Sequence, residues 1–471
     1  MGRDFLSVSF ESKDLSERGH VHFYQLLTDP QEVLLRLKTV TTVEGFDPKS
    51  IAWNSYCNEL VVASMGKVHT INGVFEDPRP AVDILIPSFG LNVDRRSIPF
   101  SEGAIKGAGV REVFTKCDSG SHTAVSTHVQ DIEPVHVTVD ENNVAYMLFQ
   151  TNNAIGRMDL KDPFAPMTYH NLGMKSWEQM AMDTSYEDGG INQNPHVINS
   201  LYQPGHAVAF TFANKTWLAT ADGGRIKQYS VRSGSTTLCN FDESADGRSW
   251  KQAFTSMVTQ NTAAELQANL TTVTSRMRFS RLKSIQDGYN PLQMGYDYLL
   301  TYGGRGWSLM DAVSMQRVYD SGDLLETFYT STNVKDNQKA MYNNYYTSAT
   351  HTQTQNADRT SPMFGPNPTA IATGNINGTQ VVAVANGYVG GLYFFSITGN
   401  STQGPDVAFE GFERRGSPGL TWTESYKLDT DAVGEPGITD LIWISDAGQN
   451  VVAAVSSIAG AVSFYSVDVM L

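Results

Sequence analysis

Cysteine is scarce. The chain has three, Cys57, Cys117 and Cys239, in 471 residues. They form no CxxC pair and no zinc spacing, and their odd count excludes a disulfide framework, though it allows one bridge beside a leftover thiol. Buried free thiols are the plain expectation. Long apolar runs are missing too: no stretch reaches the roughly 18 residues of a membrane-spanning helix, so no span is predicted. The opening MGRDFLSVSFESKD is not a signal peptide, because Arg3 and Asp4 are not followed by an apolar segment. Positive charge is in short supply: Lys and Arg number 34 against 49 Asp and Glu, a net charge of −15. Such a surface repels phosphate backbones and argues against nucleic-acid binding, while leaving the compartment open. No GxSxG elbow, phosphate loop or HExxH occurs. The run Tyr302-Gly303-Gly304-Arg305-Gly306 lacks the strand-to-helix context of a dinucleotide site.

What the chain does have is the material of many short strands. Hydrophobic residues make up 41% and aromatic residues 10%, while 40 Gly and 18 Pro supply turns. Five segments share one pattern, in which a proline-containing turn leads into apolar strands separated by Asn, Asp or Gly turns. They run from 46 to 71, 132 to 160, 202 to 231, 365 to 397 and 435 to 467, headed by Pro48, Pro134, Pro204, Pro368 and Pro436. The one double-length step, between Pro204 and Pro368, predicts a further unit at 294 to 323. A partial unit opens the chain with FLSVSFES and HVHFYQL. Seven units imply an all-β fold, a β-propeller of seven blades filling residues 1–471 as a single domain. Residues 249–287 carry helical stretches and are expected as an insertion between blades. The polar loop Tyr342 to Pro366 is a place where binding could sit.

These segments, taken in order, resemble the choice-of-anchor I family, whose eukaryotic members include mesenchyme-specific cell surface glycoproteins. AGVREVF (108–114), VQDIEPVHVTV with AYMLFQTNNAIGRMDL, NLGMKSWEQMAMDTSYEDGGIN (171–192), SLYQPGHAVAF with KTWLATADGG, and TYGGRGWSLMD are similar to family segments in the same sequence. The resemblance implies an exported propeller, often surface-anchored, and implies that a signal peptide and a leading blade are missing here, which would make eight blades. It therefore points to an extracellular or cell-surface protein. The family's acidic turns are thinned at Asn367-Pro368-Thr369-Ala370, Glu435-Pro436-Gly437-Ile438, Ala221-Asp222-Gly223-Gly224 and Ala63-Ser64-Met65-Gly66. Metal dependence is correspondingly in doubt.

The candidate channel or ligand-binding residues are Asp131, Glu133, Asp188, Arg305 and Glu435. Asp131 and Glu133 flank a blade entry and, with Glu435, could share a proton or hold calcium. The plainer reading has them capping the turn through backbone amides. Asp183, Glu187 and Asp188 lie in DTSYEDGGIN, which lacks the ligand alternation of an EF-hand and reads as a solvated acidic loop. Arg305 could clamp an anion, or pair with a neighbouring blade's carboxylate, which is the expected role. N-glycan acceptor triplets occur at Asn214, Asn269, Asn377 and Asn400. No catalytic set is identified and no cofactor is expected, calcium being the one candidate. The reading is a non-catalytic secreted or surface propeller that binds a protein or glycan through loops on one face. The alternatives are a metal-dependent hydrolase or phosphoesterase with its site at the channel mouth, and a purely structural matrix protein.

Overall fold

The computed structural model describes residues 5–468 with breaks, the longest covering most of 255–275, 332–340 and 346–351. The chain is all-β, with 51% strand and 8% helix. It divides into two compact units, Met1–Asn171 with Lys227–Asp242, and Leu172–Ile226 with Glu243–Leu471.

Among the described residues, the first unit holds three antiparallel sheets of three or four strands. Strands Phe5–Phe10, His20–Thr28 and Val33–Thr42 make the first sheet. Asp47–Trp53, Leu60–Met65, Ala81–Pro87 and Val93–Ile98 make the second, and Pro134–Val139, Val144–Phe149, Ala154–Asp159 and Thr168–Asn171 the third. A hairpin, Gln228–Ser233 with Thr236–Asp242, also belongs to this unit.

In the second unit, His206–Phe212, Lys215–Asp222, Gly306–Asp311 and Arg317–Asp320 make the fourth sheet. Pro368–Ile376, Thr379–Asn386, Leu392–Asn400 and Gly404–Glu413 form the fifth. Ile438–Asp446, Gln449–Ser456 and Ala461–Ser466 form the sixth. A smaller sheet of Met174–Ser176, Asn199–Leu201 and Leu300–Thr301 includes one parallel pairing.

The middle strands explain the apolar runs of the sequence. Leu60–Met65 and Val144–Phe149 are buried at every residue. Side chains alternate across a strand, and here each face meets another sheet. Val61 and Ala63 pack with Met147 and Phe149 of the third sheet, whereas Leu60 and Val62 pack with Val21 and Phe23 of the first. Likewise Val382 and Val384 join Trp307 and Leu309 of the fourth sheet, and Ala383 and Ala385 join Leu441 and Val452 of the sixth. A strand covered on both sides has no reason to alternate apolar with polar residues.

The head prolines also have a structural cause. In the second, third and fifth sheets, Pro48, Pro134 and Pro368 pair at the start of the first strand, and the register shifts directly after each. The sixth sheet shows the same irregularity between Ile438 and Asp440, just past Pro436. Proline donates no ladder bond and is tolerated at a strand's first residue or beside a bulge.

Two expectations change. Residues 294–323 do not form a unit of their own: Gly306–Asp311 pairs with Lys215–Asp222, and Arg317–Asp320 follows it, completing the fourth sheet. The described residues therefore contain six sheets of this kind, against seven expected units. Residues 223–305, with 249–287 among them, run between two neighbouring strands of that one sheet rather than between sheets. A helix, Gly247–Phe254, lies in this connection.

The cysteines also differ from expectation. Cys239 is disulfide-bonded and Cys57 is a free, exposed thiol. Strand Lys116–Asp118, which carries Cys117, lies against Thr236–Asp242. No helix of the described residues is long and apolar enough to cross a membrane.

Candidate functional site

In the first unit, Asp131 and Glu133 come together on a cation that sequence reasoning missed. Asp131 ends a short helix, His128–Asp131, started by a capping box at Thr127. Lys227, at the foot of the hairpin, places its Nζ 2.9 Å from Asp131 Oδ1 and 3.3 Å from Glu133 Oε1. All three side chains are at most 3% exposed. The other Asp131 oxygen accepts from the Val113 amide at 2.7 Å and from Asn152 Nδ2 at 3.0 Å. Tyr229 donates its hydroxyl to Glu133. Asp131 thus combines a contact from a backbone amide 18 positions away, rather than from its own turn, with an ion pair spanning 96 positions of chain.

The electrostatics of this nest follow from burial. Desolvation opposes the Lys227 charge, but Asp131 and Glu133 hold its pKa well above the ordinary lysine value. Burial, followed by the charge of Glu133, pushes the Tyr229 phenol up. Nearby Asp77 is raised to about 6, by burial first, against its hydrogen bond from Ser126 and the charge of Lys227. Two carboxylates share one lysine, and the neutral Tyr229 phenol donates to the second of them.

The second unit holds a comparable nest around Arg305, whose side chain is fully buried. Its Nη1 lies 2.5 Å from Glu326 Oε1 and donates to the Asp183 carbonyl at 3.2 Å, while Nη2 donates to the Ser361 carbonyl at 2.6 Å. Glu326 Oε2 accepts from Tyr342 at 2.6 Å and from Asn343 Nδ2 at 3.0 Å. Arg305 does form an ion pair, but not with a neighbouring blade as expected: its partner sits on the helix Leu324–Thr327, just after the last strand of the same sheet. The polar loop at 342–366 supplies Tyr342, Asn343 and Ser361 to this buried network, so part of it is core.

Asp188 belongs to the same neighbourhood. Oxygens of Asp183, Asp188 and Asp358 all lie within 4.8 Å of one another, with Asp188 exposed and the other two buried. Asp183 is fixed by amides of Ser185 at 3.1 Å and Asn192 at 2.7 Å. Burial raises its pKa to about 6, with Glu326 and Asp188 adding to the effect. Asp358 accepts from the Ser361 hydroxyl. Its pKa rises to about 8, through burial first and then the charges of Asp183, Asp188 and Glu326.

Glu435 stands apart in the second unit, buried, with Oε2 accepting from the Arg415 amide at 3.3 Å. It occupies a recurring position. The residue before each head proline is Asp47, Glu133, Gln203, Asn367 or Glu435, and four of these five are buried. Gln203 fills the position with an amide that bonds both the N–H and the carbonyl of Arg225. A polar anchor for the chain entering the first strand explains the position without a ligand.

Of the glycan acceptors, Asn214 and Asn377 sit exposed at left-handed turn positions, φ 61° and 52°. Asn269 and the side chain of Asn400 lie outside the described residues.

Comparison with known proteins places these features in a family. The choice-of-anchor I domain matches residues 1–400. Gigasin-3a of Magallana gigas is 28% identical over 36% of this chain and 58% of its own length. A mesenchyme-specific cell surface glycoprotein of Strongylocentrotus purpuratus is 26% identical over 66% of this chain and 41% of its own. The chain thus spans about half the length of these curated relatives. Among solved structures, a periplasmic gluconolactonase of Pseudomonas aeruginosa aligns with 98% of this chain and 81% of its own, at 11% identity and a TM-score of 0.35.

Proposed function

The chain belongs to the choice-of-anchor I family, and from that premise we propose that it is a non-catalytic β-propeller of the cell surface or extracellular space, binding a protein or glycan through loops on one face. In this reading the six sheets of the described residues serve as blades of a closed ring.

One observation carries the non-catalytic part. The charged residues best placed for chemistry, Asp131, Glu133 and Arg305, are buried and matched by internal partners. A general acid or base must reach a proton on its substrate, and these side chains are directed at buried partners: Lys227 for Asp131 and Glu133, and Glu326 for Arg305. The extracellular part is supported by the name of the sea-urchin relative, by the disulfide at Cys239, which suits an oxidising compartment, and by exposed glycan acceptors at Asn214 and Asn377. A metal-dependent hydrolase is the second reading, favoured by the three grouped carboxylates of Asp183, Asp188 and Asp358.

The test is a turnover screen with the purified, folded chain on phosphoester, carboxyl-ester and lactone substrates, with and without divalent cations, run beside binding to immobilised proteins and glycans. Saturable binding without turnover is expected. Hydrolysis that disappears in Glu133→Gln, or that requires a metal and disappears in Asp188→Asn, would replace the binding reading with an enzyme.

A further inference from the structure

We propose that Asp183, Asp188 and Asp358 form a calcium site in the second unit. The argument begins with separations. Calcium binds oxygen at roughly 2.3–2.6 Å, so two ligands of one ion can stand no more than about twice that distance apart. The three carboxylates meet this limit, with one oxygen from each lying within 4.8 Å of the others.

Acidic side chains often gather on surfaces, and closeness alone would mean little. Here, though, a buried oxygen lacks a partner. Asp358 is 6% exposed, its Oδ1 accepts from Ser361, and its Oδ2 has no donor among the described residues. A buried acceptor left unmatched costs the full desolvation of the group. Asn343, tied to Asp358 through Ser361, likewise leaves Oδ1 without a donor at 1% exposure. The buried cation Arg305 directs Nη1 and Nη2 to Glu326 and to three backbone carbonyls instead.

The donor set selects the ion. All three ligands are carboxylate oxygens and no His or Cys belongs to the group, which suits a hard cation rather than zinc or copper. Asp183 is held rigid by two amides, while Asp188 is exposed on a turn continued by Gly189 and Gly190 at φ 93° and 139°. Such a half-open cup leaves room for water ligands and irregular geometry, which calcium accepts more readily than magnesium.

The test uses the whole chain, freed of metal with a chelator, in which thermal unfolding and terbium luminescence are followed during titration with calcium or magnesium. Wild type should gain about 2–5 °C at millimolar calcium, with a dissociation constant of roughly 10⁻⁴–10⁻³ M. Asp188→Asn changes an exposed residue and should fold normally while losing at least about tenfold in affinity. Asp358→Asn should abolish the calcium response. An unchanged melting temperature and absent luminescence in folded wild type would overturn the site, as would a calcium response that persists undiminished in both variants. Either result bears on the metal alone, because the binding reading is tested without it.

Discussion

At the scale of residues, the first unit buries Asp131, Glu133 and Lys227 as one set, and that makes the removal of a partner one-sided. Lys227→Met leaves Asp131 and Glu133 buried without their cation and should destabilise the first unit by about 3–5 kcal/mol. Adding Asp131→Asn and Glu133→Gln should recover much of that loss, which denaturant unfolding can measure. If the single variant were as stable as wild type, the nest would not be a brace. A second set makes a pH prediction. Asp222 is fully buried, accepting from Ser308 at 2.5 Å and Thr220 at 2.8 Å, and burial raises its pKa to about 7 against Arg317 and these hydroxyls. Because the folded pKa exceeds the unfolded one, the folded state keeps a proton that the unfolded state releases, and stability falls as pH rises from about 4 to about 7. Asp222→Asn should flatten that decline. An unchanged slope in the variant would assign it to other groups.

At the scale of elements, the strands were legible because their chemistry is local. Proline at the head, β-branched runs and Asn or Gly at the tips mark Pro134–Val139 and Val144–Phe149 without any knowledge of neighbours. Partnership was not legible. Gly306–Asp311 reads like the strand of a separate unit, yet its partner Lys215–Asp222 lies across an excursion containing a helix and several small hairpins. The pairing comes from closure of a sheet, which leaves no local mark. Lys227 escaped notice for the same reason, being an ordinary residue 96 positions from Asp131, and Asp358 lay hidden in a polar loop that gave no sign of burial. Sheet-on-sheet packing supplies its own test. A Cβ at Gly374 would stand 1.9 Å from the Trp443 ring of the sixth sheet. Gly374→Ala should therefore cost about 1–3 kcal/mol, and Gly378→Ala at an open turn serves as the comparison for backbone strain alone. Equal stability of the Gly374 variant and wild type would deny that the fifth and sixth sheets pack face to face.

At the scale of the whole molecule, buried middle strands leave turns and loops as the parts open to a partner. Two of those turns carry the exposed glycan acceptors Asn214 and Asn377, and a disulfide holds Cys239. Together these features suit the proposed extracellular setting, where thiols oxidise and glycans are added. The most direct measurement is secretion of the chain from eukaryotic cells behind an added leader, followed by thiol alkylation without reductant and by mass analysis before and after glycan removal. Secreted, soluble protein with Cys57 labelled, Cys239 protected, and glycan on Asn214 or Asn377 is the predicted result. Retention of the chain as unfolded material, with Cys239 open to the reagent and both asparagines bare, would contradict an extracellular protein.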